Sequence, residues 1–210
     1  MNARAINNRI TAGLSGLAIV LSVGVALVSY RYLSPTNLFG PPDILGNLFA
    51  RPWLAIHAGG AATALLVGGF QLIPALRRRR ALHRWLGRVY ATGCIVGGFA
   101  GLTLAFGSTA GPIAGWGFGL LAVAWIYTTA QGWLTGRARR FDEHRRWMIR
   151  SFALTFAAVT LRLYLPAGAM AGIDGQLAYR AIAWLCWVPN LALAELYLRR
   201  GLRAPRQLAA

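Results

Sequence analysis

The chain has 210 residues, 57% of them hydrophobic and only 13% charged, with 25 Gly and 8 Trp. A soluble domain carries about 25% charged residues, so this composition excludes an ordinary soluble domain and points to a membrane protein. The net charge of +17 comes from 22 basic residues, all of them arginine, against 5 acidic ones, and whether so basic a chain (pI near 11.7) addresses nucleic acid depends on where the arginines sit.

A membrane-spanning helix needs about 20 mainly apolar residues, because in hydrocarbon only a helix or a closed barrel satisfies its own backbone. Taken in chain order, six stretches meet that requirement: approximately 10–30, 53–76, 86–108, 112–135, 147–170 and 178–197. The first follows Arg4 and Arg9 but is longer than a signal-peptide apolar region of about 7–15 residues, and it is read as a retained helix. The connections are short, so the expectation is an all-α polytopic bundle of six transmembrane helices forming a single membrane domain over 1–210.

Arginine position predicts orientation. Arg4 and Arg9 precede helix one; Arg77, Arg78, Arg79, Arg80, Arg84 and Arg88 follow helix two. Arg137, Arg139, Arg140, Arg145, Arg146 and Arg150 follow helix four, and Arg199, Arg200, Arg203 and Arg206 form the tail. Only Arg31, Arg51 and Arg180 fall on the other side, and Arg162 lies within a span. The positive-inside rule then places both termini and both basic turns in the cytoplasm of a bacterial inner membrane. Arginines beside spanning helices are accounted for by topology and by anionic lipid headgroups, so no nucleic-acid partner is expected. Cys94 and Cys186 fall in apolar mid-helix positions without metal-ligand spacing and read as small core residues.

The two basic turns are alike. One runs from Gln71 through an arginine run to His83, Arg84, Trp85 and Arg88; the other from Gln131 through Arg137–Arg140 to His144, Arg145, Trp147 and Arg150. Helices two and three are thus a weak repeat of helices four and five. Over residues 53–166 the chain resembles an uncharacterised family of bacterial multi-pass membrane proteins, a domain of unknown function. The likeness is carried by His57 with Gly59, Gly60 and Gln71, by His83-Arg84-x-x-Gly87-Arg88-x-Tyr90, and by His144-Arg145-Arg146-Trp147-Met148 leading to Arg162. That resemblance implies a membrane fold and no established activity. A more distant likeness, histidines at the ends of Gly-rich helices, is to membrane cytochromes b.

An ionisable group inside a span costs about 2.5–3.5 kcal/mol on insertion scales and calls for a reason. Arg162 lies about 22 Å along helix five from Trp147, and His57 about 6 Å into helix two from Trp53. Both are therefore expected at similar depth in the outer leaflet. His57, Gly60, Ala64, Gly68 and Gln71 share one stripe of helix two, and His144, Ser151, Thr155, Ala158 and Arg162 one of helix five. Two readings of His57 and Arg162 stand: a polar pocket for a quinone head or a haem propionate, or an outward-reaching arginine with a histidine capping a carbonyl. His83 and His144 begin helices three and five, where two imidazoles are candidates for haem b iron or are interfacial anchors. Gly93, Gly97 and Gly101 form a groove for a helix or a flat cofactor. Pro189 is expected to free the carbonyl of Leu185 with Asn190 compensating, and Glu195 to pair with Arg199.

No phosphate-cradling loop, zinc-protease motif, nucleophile elbow or cysteine pair at metal spacing is present. With five acidic residues, carboxylate chemistry, zinc proteolysis and ATP-driven pumping are disfavoured, and enzyme activity is not expected. Three classes stay open. They are haem b or quinone-linked electron transfer through His57, Arg162, His83, His144 and Gln71; a cofactor-free accessory subunit or scaffold of a larger membrane complex; and a small-molecule or lipid carrier.

Overall fold

A computed structural model describes residues 3–34 and 46–203. Among the described residues all regular structure is helical. The helices are α1 (Ala3–Ser29), followed by a 3₁₀ turn (Tyr30–Leu33), α2 (Ala50–Phe70), α3 (Pro74–Arg78), α4 (Arg80–Phe106), α5 (Pro112–Arg137), α6 (Phe141–Thr155), α7 (Ala157–Met170), α8 (Gly175–Leu185) and α9 (Val188–Arg203). Six of the resulting stretches are long and apolar enough to cross a membrane, α6 with α7 and α8 with α9 each making one bent span.

Span ends follow local chemistry. The apolar pattern predicts a second span reaching residue 76, but α2 stops at Phe70, because Pro74 has no N–H and its ring would collide with the Phe70 carbonyl in a continuing helix. Instead Pro74 occupies the first turn of the short α3. α4 begins at Arg80, six residues before the expected start, since arginine is a good helix former that continues the helix into water. Pro112 opens α5 after Gly111, whose φ of 88° favours glycine. Asp174 caps α8, its carboxylate accepting from the Leu177 N–H at 2.9 Å.

The chain forms two compact units, 1–109 and 110–210. In the first, α2 packs mainly on α4, with α1 against α2. A Cβ on Gly60 would lie 2.8 Å from the Gly97 nitrogen, and one on Gly93 2.8 Å from the Gly60 oxygen. The backbones therefore touch, as small-residue membrane contacts do. The partner that packs on Gly93, Gly97 and Gly101 is therefore α2, through its backbone at the first two and the His57 ring at the third.

In the second unit α5 packs on α6 through a polar seam. Trp125 Nε1–H donates to Thr155 Oγ1 at 2.8 Å, and the hydroxyls of Thr129 and Ser151 meet at 2.7 Å. The stripe of Ser151 and Thr155 thus serves helix pairing. Near the bends, Asn190 Nδ2 donates to the Cys186 carbonyl at 3.0 Å and reaches Thr160 Oγ1 and the Ala153 carbonyl at 3.2 and 3.3 Å. The carbonyl served by Asn190 is that of Cys186, one residue beyond the expected Leu185. Glu195 pairs with Arg150, not with Arg199 as spacing predicted: Arg150 Nη2 lies 3.0 Å from Oε2 and Nε donates to Oε1. Bending the last span carries Glu195 onto α6, where a two-pronged guanidinium contact outcompetes an exposed i,i+4 pair.

Many large apolar residues are left outside. Leu14, Leu17, Val20, Phe99, Val123, Leu163 and Leu193 are exposed, while the buried set is rich in Ala, Ser and Thr. That inversion suits lipid as the surrounding solvent, where bulky apolar side chains gain nothing by going inside.

Candidate functional site

His57 lies two turns into α2 and is half-buried. Its Nδ1 is 2.8 Å from the carbonyl oxygen of Gly97 on α4. A carbonyl only accepts, so Nδ1 carries a proton and is the donor in this contact. A Cβ on Gly101, one turn further along α4, would fall 2.8 Å from the same Nδ1 and 3.0 Å from Cε1. The ring occupies the space that a side chain at 101 would need.

His144, on the first turn of α6, repeats this arrangement in the second unit. Its Nδ1 is 2.7 Å from the Gly132 carbonyl oxygen on α5, and a Cβ on Gly136 would come within 2.9 Å of Nδ1 and 3.3 Å of Cε1. In both units a histidine donates Nδ1–H to one glycine and lies against a second glycine four residues later. Sequence reading missed Gly132 and Gly136, although their spacing equals that of Gly97 and Gly101. The signal was there; its partner histidine was not identifiable before the helices were paired.

His83 and His144 hold equivalent backbone places. Each follows by four residues an arginine of nearly the same conformation, Arg79 (φ −82°, ψ 87°) and Arg140 (φ −84°, ψ 73°). Each donates its amide N–H to that arginine's carbonyl at 2.9 Å. The basic turns therefore repeat in structure as in sequence. His83 is half-buried with Nδ1 shielded from solvent. Within the first unit His57 and His83 are not brought together: fourteen residues of α4 separate His83 from Gly97, about 21 Å along the axis. Gln71 caps the end of α2 beside the first basic turn, its amide N–H on the Val67 carbonyl at 3.2 Å.

Arg162 is half-buried in α7, and its Nη1 donates to the Ala158 carbonyl at 3.0 Å, one turn back along its own helix. It lies eighteen residues beyond His144, about 27 Å along the bent span. Arg150 is held twice, by Glu195 and by the Trp147 ring 4.8 Å from its guanidinium carbon. Among the described residues no three His, Cys, Asp or Glu side chains come together to hold a bare metal ion. What the site offers is two imidazoles, His57 and His144, each oriented by an Nδ1–H bond to a glycine carbonyl.

A family model described as a predicted membrane protein, DUF2306, matches residues 54–198. The chain belongs to this family. No curated protein and no solved structure matches it. The DUF2306 region runs from the first turns of α2 to the last turns of α9, and includes both docked histidines, all four of their glycines, His83, Gln71 and Arg162. Among the spanning helices of the described residues, α1 falls outside it.

Proposed function

We propose that the protein is a multi-pass redox protein of the bacterial inner membrane, with both basic turns cytoplasmic, and that His57 and His144 each ligate a haem b iron through Nε2. One observation carries this reading: both rings donate Nδ1–H to a backbone carbonyl. A metal-ligating histidine almost always makes that second hydrogen bond, which fixes the tautomer, orients the ring and raises the basicity of the other nitrogen. The glycine beneath each ring adds a steric limit on rotation, so each imidazole is preorganised before any ligand arrives. A quinone is the natural electron partner within a bilayer.

The second reading is a cofactor-free accessory subunit in which the histidines are bonds between helices. It is favoured by the Trp125, Thr129, Ser151 and Thr155 seam, which continues the His144 contact along the same pair of helices.

Absorption spectra separate the two. The protein, purified in mild detergent, is expected to show a Soret band that shifts on dithionite reduction. His57→Asn and His144→Asn, whose amide nitrogen stands in the place of Nδ1 and keeps a donor for the glycine carbonyl but loses the ligand, are expected to lose that band while retaining the wild-type unfolding temperature to within a few degrees. A colourless wild-type protein overturns the redox reading.

A further inference from the structure

The α2/α4 hairpin carries a groove of about 490 Å³ on the first unit. Gly60 and Gly93, whose backbones are in contact, line it together with side chains of both helices. Trp85 and Arg88 stand at its arginine-rich end and Val96 towards the other, a span of eleven residues of α4 or about 16 Å. That is close to the depth of one leaflet, half of a hydrocarbon core about 30 Å thick.

We propose that this groove binds one anionic phospholipid, with its phosphate on Arg88 and an acyl chain along Val89, Thr92 and Val96. Arg88 is exposed, and among the described residues it makes no hydrogen bond or ion pair. No acidic residue lines the groove. A planar guanidinium with no carboxylate beside it matches a phosphate diester, which it can grip with two N–H groups. Deeper in, the hydroxyl of Thr63 is taken up by Tyr30 at 3.0 Å, so the inner end presents an apolar surface that suits a hydrocarbon chain. Trp85, exposed at the rim, has the amphipathic ring that settles at the glycerol level. Basic pockets between membrane helices on the arginine-rich side take lipid headgroups for these reasons.

Native mass spectrometry of the full chain, released from nanodiscs containing dioleoyl phosphatidylglycerol and dioleoyl phosphatidylcholine in equal amounts, tests this. Wild type is expected to retain one phosphatidylglycerol. Arg88→Gln is expected to weaken retention about fivefold, as loss of one basic contact to an anionic lipid does, and Val96→Trp to abolish it by filling the groove. Arg78→Gln, an exposed arginine on the same side but outside the groove, is expected to leave retention unchanged. Both substituted groove residues are exposed, and unchanged unfolding temperatures establish that the variants are folded. Equal retention of phosphatidylcholine, an equal loss in Arg78→Gln, no loss in Val96→Trp, or displacement of phosphatidylglycerol by a neutral quinone analogue each overturns the proposal.

Discussion

The ring of His57 rests where a side chain of residue 101 would otherwise be, and that of His144 where one of residue 136 would be. An added methyl group has nowhere to go in either place, because the nearest atoms belong to a planar ring already held by a carbonyl. Gly101→Ala and Gly136→Ala are each expected to destabilise the protein by about 1–3 kcal/mol, the usual range for overpacking. Gly87, inside α4, provides the contrast, since a methyl group added there would meet nothing within 4 Å. Gly87→Ala is expected to be neutral or to stabilise by up to about 1 kcal/mol through helix propensity. Thermal unfolding midpoints in one detergent measure all three. Equal responses at 87, 101 and 136 contradict the steric role assigned to the two glycines.

At the scale of the elements, the fifth and sixth spans both bend. α6 gives way to α7 at Phe156, and α8 to α9 at Cys186 and Trp187. A bend releases backbone carbonyls into a medium without water, and unsatisfied groups there are costly. Asn190 answers for both bends, reaching the Ala153 carbonyl before one and the Cys186 carbonyl within the other, while Thr160 Oγ1–H also donates to Cys186. Side-chain hydrogen bonds in membranes average about 0.6 kcal/mol and reach about 1.7. Asn190→Ala is therefore expected to cost about 1–2 kcal/mol, and Thr129→Val, which removes a single hydroxyl contact of the α5/α6 seam, about 0.6. Unfolding in increasing dodecyl sulfate gives both values, and an Asn190→Ala cost no larger than that of Thr129→Val would count against the bridging role. Pro189 and Asn190 were visible as a pair in the sequence. Which carbonyl they serve depended on where the last span bends, and that is settled by the neighbouring helix.

For the whole molecule, the arrangement of charge is the dominant feature. Six spans with arginine clusters after α2 and after α5 predict that position 78 and position 139 face the same side of the membrane, opposite Ser34. Single cysteines at 34, 78 and 139 in intact cells, treated with a membrane-impermeant maleimide, are expected to label at 34 alone. Cys94 and Cys186 are buried, so the wild-type background is expected to be low. Labelling of 78 or 139 from outside contradicts the cytoplasmic assignment of the basic turns.

The sequence by itself determined the class, the number of spans and the sites where arginine stops the apolar runs, because lipid imposes a length and a polarity on every crossing helix. It also marked His57 and Arg162 as polar groups in costly places, and His83 and His144 as histidines at helix starts. Only the tertiary structure decided what those groups touch. The spacing of Gly97 and Gly101, or of Gly132 and Gly136, does not say which face of which helix will lie on it, since small residues pack equally well against many partners. Pairing α2 with α4 and α5 with α6 turned two glycine pairs into seats for two imidazoles. Glu195 makes the same point: along the helix Arg199 was the near neighbour, and the bend earlier in that span brought it to Arg150.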